Sequence, residues 1–249
     1  MSNTILSVKG LTKTYGKKDA IHSLDMTINK GDIYGFIGRN GAGKTTLIKA
    51  IVGLINPTSG NIELFGNQNL NQGRRKIGTV IEAPAYVPHL SAWKNMYIQL
   101  TLLGGKDKSI IDKTLELVGL ENVGKKKVKK FSLGMKQRLA IAMTLMGEPE
   151  ILILDEPTNG LDPEAIVEVR KMLQRLVEER DLTILISRHI LGELSKLATR
   201  YGIINNGKLL EEFSSEELEK RCKSSLIIDI DDTAKACEDL KAQLNTENY

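Results

Sequence analysis

Residues 38–46 read GRNGAGKTT and match G-x-x-x-x-G-K-[ST] through Gly38, Gly43, Lys44 and Thr45, immediately after the apolar run 33–37, IYGFI. An apolar strand, a glycine-rich turn and then a helix constrain the chain to one kind of fold, an α/β unit with a phosphate-sized loop at the strand end. The glycines let backbone N–H groups turn inward around phosphate oxygens, and the positive end of the helix opening near Gly43 faces the same anion. Gly38, Asn40, Gly41, Gly43, Lys44, Thr45 and Thr46 are therefore the candidate contacts to a nucleoside triphosphate. Lys44 adds a point charge toward the β- and γ-phosphates, and Thr45 offers a hydroxyl to Mg²⁺. The bare pattern also describes a glycine-rich turn with a chance lysine; the strand before it and the helix after it favour the phosphate.

Residues 151–156, ILILDE, supply the other half of a site. Four aliphatics ending in two acids describe a strand buried on both faces of a parallel sheet, with carboxylates emerging at the C-terminal edge where ligands bind. Asp155 is the candidate Mg²⁺ holder. Glu156 is the candidate base for the water attacking the γ-phosphate. Acids that merely end a strand are the alternative for these residues taken alone.

With both halves in hand, the chain resembles the nucleotide-binding subunits of ABC transporters over about residues 4–212. Tyr15 is similar to the aromatic that stacks on adenine in that family. Residues 131–138, FSLGMKQR, resemble its signature, usually L-S-G-G-Q followed by a residue and Q-R: Ser132, Gly134, Gln137 and Arg138 match, whereas Phe131, Leu133 and Met135 depart. Residues 157–162, PTNGLD, match the loop after the catalytic glutamate and bring Asp162 into the set, and Ser187-Arg188-His189 matches the switch-histidine motif. The resemblance implies ATP and Mg²⁺ as ligands, with Glu156, His189 and Lys44 catalytic, and Thr45, Glu82 and Asp155 around the metal. It also implies that Ser132 and Gly134, opening a helix, present donors to the γ-phosphate of an opposite protomer, so that two chains sandwich two ATP molecules head to tail. Glu82 stands where most relatives carry glutamine, and a solvated loop acid is its other reading. Arg188 stands where many relatives carry serine, and the sequence assigns it no role. Together with the serine-leucine-glycine-methionine signature, Glu82 resembles the bacitracin-resistance and lantibiotic-immunity branch, whose members drive a separate multi-pass permease.

The implied architecture is α/β: a P-loop ABC ATPase with a mostly parallel core sheet, an antiparallel β layer and a helical subdomain. Alternating stretches at 5–9, 21–28 and 60–64 suit the antiparallel layer, and runs beginning at Ile33, Ile77, Ile151, Leu182 and Tyr201 suit the parallel sheet. The expected division is a nucleotide-binding domain at 1–212, with a helical subdomain at about 84–147, and a small β/α appendage at 213–249. Within the appendage, 215–220 reads as a short helix, 226–230 as a strand and 233–244 as an amphipathic helix. Residues 29–32, NKGD, match the guanine-selecting N-K-x-D pattern but precede the phosphate loop, and read as a tight turn.

No apolar run approaches the roughly 18 to 20 residues needed to span a bilayer, and the first ten residues lack a signal-peptide core, so the expectation is a cytoplasmic subunit held at the inner membrane face by its permease. A formal charge of +4 among 35 basic and 31 acidic residues does not call for nucleic acid. The lysine run 125–130 is either a solvated face or a patch for anionic headgroups or an acidic partner loop. Two cysteines outside any C-x-x-C setting imply reduced thiols. Residues 86–93, with Tyr86, Val87, Pro88, Leu90 and Trp93, are a candidate permease-docking surface, although Trp93 also suits a core. A soluble ABC-type ATPase acting on ribosomes or DNA is the competing function; such forms usually carry two cassettes or a long coiled coil, and neither occurs here.

Overall fold

The computed structural model describes residues 3–82 and 85–222. The strand expected at 226–230, the helix at 233–244 and Cys237 lie outside the described residues. The chain divides into two units after Ser215. The expected boundary at 212 falls inside a strand of the first unit.

In chain order the elements are β1 (Thr4–Tyr15), β2 (Lys18–Asn29), β3 (Ile33–Ile37), α1 (Lys44–Val52), β4 (Ser59–Leu64), α2 (Leu70–Arg74), β5 (Ile77–Val80), α3 (Ala92–Leu102), α4 (Ser109–Leu117), α5 (Leu133–Leu145), β6 (Ile151–Asp155), α6 (Pro163–Arg180), β7 (Thr183–Arg188), α7 (Leu191–Leu194), β8 (Arg200–Asn205), β9 (Lys208–Ser214) and α8 (Ser215–Arg221). β1 pairs antiparallel with β2 and β4 in a three-stranded sheet ordered β2-β1-β4. The second sheet is ordered β5-β6-β7-β3-β8-β9, parallel through β8. Its last strand, β9, runs antiparallel to β8 and adds an edge to the sheet beyond the expected runs. The alternation in β9 is weak because it is an edge strand, largely exposed.

Every residue of β3, β6 and β7 is buried, which is why these segments read as largely apolar runs without alternation. α1 lies where the two sheets share one core: Leu47, Ile48 and Ile51 are fully buried in a cluster with Leu6, Met26 and Leu64 of the antiparallel layer and Ile153 and Leu185 of the parallel sheet. At about 1.5–3 kcal/mol for each such side chain, this packing anchors the helix whose N-terminus forms the phosphate loop. The parallel register sets Ile37 beside Arg188 and Asp155 beside Ser187, so the C-terminal ends of β3, β7 and β6 open on one edge.

Tyr34, fully buried in β3, donates its hydroxyl to Glu212 Oε1 of β9 over 2.6 Å. The 29–32 segment is a turn, as expected: the Asp32 amide donates to Asn29 O (3.2 Å) and the Asn29 amide to Asp32 Oδ2 (2.9 Å). Between the sheet strands, α3, α4 and α5 pack through Met96, Leu100, Ile111, Leu115 and Leu139. The buried Asn95 there is fully used, accepting from the Val87 amide and donating to the Val87 and Ser91 carbonyls.

Candidate functional site

The phosphate loop owes its shape to two close approaches. Gly43 caps α1 at φ 113°, and a Cβ there would stand 2.6 Å from Ala20 O; at Gly38 it would stand 2.5 Å from Ile204 O. Any side chain at either position would push the loop off the strands beneath it. Gly43 brings no side chain to cap the first-turn amides of α1, so these donors and the positive helix end remain for an anion. Asn40, Gly41, Gly43, Lys44, Thr45 and Thr46 line a cavity of about 200 Å³ with Ala20 and Glu156.

Lys44 is buried; its ammonium donates to Gly38 O at 2.6 Å and Arg39 O at 3.3 Å and lies 3.2 Å from Glu156 Oε1. Thr45 Oγ1 donates to Asp155 Oδ2 at 2.6 Å, and Ser187 Oγ donates to Asp155 Oδ1 at 2.5 Å. Ser187 Oγ also accepts from the Glu156 amide at 3.0 Å, so one hydroxyl orients both acids. Glu156 adopts φ 50°, a left-handed conformation uncommon outside glycine, immediately after β6. His189 Nδ1 lies 3.0 Å from Glu156 Oε2. The residues read from three separate motifs thus meet at one carboxylate.

A second cavity, of about 360 Å³, is lined by Thr45, Glu82, Tyr86, Leu133, Lys136, Gln137, Asp155, Glu156 and Asn159. Glu82 shares this cavity with Asp155, and its charge is paired: Lys49 Nζ donates to Glu82 Oε1 at 2.6 Å. That hydrogen bond holds the Lys49 pKa above its ordinary value. Ser132 is the N-cap of α5, its hydroxyl accepting from the Met135 amide, and Gly134 is buried where a Cβ would meet Ala165 Cβ at 2.8 Å. Asp162 caps α6 by accepting from the Ala165 amide at 2.8 Å. Tyr15 is half exposed at the end of β1, with Lys13 Nζ 5.0 Å from its ring centre. Ser132, Gly134, Asp162 and Tyr15 line neither cavity.

Arg188, which the sequence left without a role, is buried with its guanidinium between two acids: Nη1 is 3.3 Å from Glu156 Oε2 and Nη2 donates to Glu193 Oε2. Glu193, on the single turn α7, also accepts from Thr158 Oγ1 at 3.1 Å. An arginine ending an apolar strand was the one sequence clue to a buried ion pair. His22 sits 3.1 Å from Asp19 Oδ2, away from this centre.

Among the described residues no cluster of three or more His, Cys, Asp or Glu side chains could hold a metal alone. The convergence of the Thr45 hydroxyl and the Asp155 carboxylate nonetheless fits Mg²⁺, which takes one or two protein oxygens and completes its shell with phosphates and water.

A mostly parallel sheet with a phosphate loop at the end of β3 and an acid pair at the end of β6, one strand away across β7, defines a P-loop nucleoside triphosphatase. The family described as "ABC transporter" matches residues 21–159. The bacitracin transport ATP-binding protein BcrA of Bacillus licheniformis is 46% identical over 250 residues, 99% of this chain and 82% of that protein. The lantibiotic transport ATP-binding protein SrtF of Streptococcus pyogenes is 43% identical over 228 residues, 90% of this chain and 99% of that one. Among solved structures, cbiO1 of Clostridium perfringens, part of an ABC transporter complex, superimposes with a TM-score of 0.80 at 25% identity, covering 98% and 96% of the two chains. The dimeric ATP-binding cassette MJ0796 bound to ADP and Pi gives 0.74 at 26% identity, covering 85% and 99%. The chain belongs to the ABC transporter family and is an ATP-binding, ATP-hydrolysing subunit of a transporter. Among the described residues no helix is long and apolar enough to cross a membrane.

Proposed function

We propose that this chain powers a separate multi-pass permease that clears peptide antibiotics of the bacitracin or lantibiotic type from the membrane. The names of the similar BcrA and SrtF proteins support the substrate class, and substrate choice itself resides in the permease. In this reading the chain works at the inner membrane face and dimerises around two ATP molecules, with Ser132 and Gly134 of each protomer serving the nucleotide of the other.

The chemistry is phosphoryl transfer to water, in which positioning and charge stabilisation do nearly all the work. The amides of residues 40–46 and the Lys44 ammonium bind the β- and γ-phosphates. Thr45 and Asp155 are the residues that would hold Mg²⁺, and the ion would neutralise charge building on the phosphate oxygens. Glu156 accepts a proton from the attacking water at one of its carboxylate oxygens. His189, in hydrogen-bond reach of Glu156 Oε2, orients that carboxylate and the water. Tyr15 and Asp162 complete the nucleotide contacts, and Glu82 would join Thr45 and Asp155 around the metal.

The observation that carries the hydrolytic part of this reading is the meeting of Lys44, His189 and Glu156, with Asp155 bonded to Thr45 beside them. The test is co-expression with a candidate permease from an adjacent reading frame in a peptide-sensitive bacterium. Resistance should rise with the intact chain and fall to the vector level with Glu156→Gln. Resistance that is equal with both chains would overturn the proposal.

A further inference from the structure

Arg188 is only 3% exposed, and both of its Nη atoms are spent on carboxylates: Glu156 Oε2 at 3.3 Å and Glu193 Oε2. Its Nε is buried without a hydrogen-bond partner among the described residues. A buried guanidinium is tolerable only where acids compensate it, and here one of those acids is the residue read as the base. Glu193 is itself tied to Thr158, two residues beyond Glu156, so the bridge closes a loop from β7 through α7 and back to the segment after β6.

We propose that Arg188 is the positioning residue for the Glu156 carboxylate, holding Oε2, the oxygen other than the one nearest Lys44, through a Glu156–Arg188–Glu193–Thr158 chain. The proposal rests on Glu156 being the proton acceptor. Oε1 accepts no hydrogen bond and has only the Lys44 ammonium 3.2 Å away, whereas Arg188 and His189 both reach Oε2, so the directed contacts that fix the carboxylate fall on Oε2. Without the guanidinium, Glu156 would keep Lys44 and His189 beside it but lose the cation that stands between it and Glu193. Repulsion would then swing Glu156 out of line, at a position whose left-handed backbone already limits its alternatives. The phosphate loop would be untouched, because its link to this residue, the Gly38 amide donating to Arg188 O at 3.1 Å, is made by the backbone. A lysine would keep the charge but cannot bridge two acids with a planar fork.

The test is single-turnover hydrolysis of radiolabelled ATP with Mg²⁺ by the full-length chain, together with ATP affinity. Variants are Arg188→Met, Arg188→Lys and Glu193→Gln, and Arg188→Met in a Glu156→Gln background. Arg188→Met should slow hydrolysis by about 10- to 100-fold, the usual effect of removing a group that orients a reacting one, with ATP affinity kept within about threefold. Arg188→Lys should recover part of the loss, and Glu193→Gln should show a smaller one. In the Glu156→Gln background Arg188→Met should cost nothing further, since a group that acts through Glu156 has nothing left to position. An undiminished rate in Arg188→Met, an equal loss of ATP affinity, or the same fold-loss repeated in the Glu156→Gln background would overturn the proposal. Wild-type turnover by Glu156→Gln alone would instead remove the base assignment beneath it.

Discussion

Thr45 Oγ1 donates to Asp155 Oδ2 across 2.6 Å, joining the phosphate loop to the acid pair over 110 positions of sequence. Ser187 holds the other oxygen of the same carboxylate. Asp155 is therefore presented by its neighbours with both oxygens directed, before any ligand chemistry is considered.

The first expected outcome concerns the base. Glu156→Gln keeps the shape of the side chain but removes its ability to take a proton. Hydrolysis should slow by about 10²- to 10⁴-fold, with ATP binding intact. An ATP-stabilised dimer should accumulate, visible by size-exclusion chromatography. Wild-type turnover measured with the permease present would refute the assignment.

Ser187→Ala tests the scaffold under the acids. It removes the donor to Asp155 Oδ1 and the acceptor for the Glu156 amide at a buried site. Stability in urea should fall by about 1–3 kcal/mol, the cost of leaving buried polar groups unpaired. ATP hydrolysis should fall with it in the absence of urea, where the variant remains folded. A variant as stable as the parent would mean that these bonds carry no net weight.

Glu82 lines the cavity of Asp155 while paired to Lys49. Glu82→Ala should impair Mg²⁺-dependent hydrolysis and peptide resistance, and Glu82→Gln should retain more of both, since a neutral carbonyl oxygen can still meet the metal's shell. Affinity for nucleotide without metal should stay level or rise. Glu82 is largely exposed, so stability should scarcely change. Identical Mg²⁺ titrations for all three forms would leave Glu82 with no part in the site.

Tyr34→Phe removes the hydroxyl that joins β3 to β9. Burial, reinforced by Glu212, raises the Tyr34 pKa, so the folded state favours the neutral phenol. Near neutral pH the substitution should cost about 1.5–3 kcal/mol, the range for a hydrogen bond to a charged acceptor. A pKa raised by folding means that this stability is complete below about pH 10, where the unfolded phenol begins to ionise. It is lost as pH rises further. Denaturant melts from pH 7 to 11 should show the gap between wild type and variant narrowing above pH 10. A constant gap would contradict the assigned bond.

Much of this molecule is legible in one dimension because its chemistry is local. The glycines of 38–46 state a backbone conformation, the run 151–154 states burial on both faces, and Asp155 and Glu156 follow at the only place such a strand can expose acids. Ser132 as a helix cap is equally local, since the bond it makes spans three residues. The edge strand β9 escaped notice because an exposed strand has no apolar alternation to show.

What escaped sequence reading in the site has a common cause. Lys49 with Glu82, Ser187 with Asp155, and Arg188 between Glu156 and Glu193 are partnerships across separate elements, and none has a periodicity or a spacing. The parallel register brings Asp155 beside Ser187 and sets Arg188 at the same sheet edge, and the packing of α1 brings Lys49 to Glu82. Residue types and short spacings decided that a phosphate loop, two acids and a histidine would be present. Only strand order and register decided that a buried arginine would grip one of those acids, because charge partners in a folded chain are chosen by three-dimensional proximity and the cost of burying an unpaired ion.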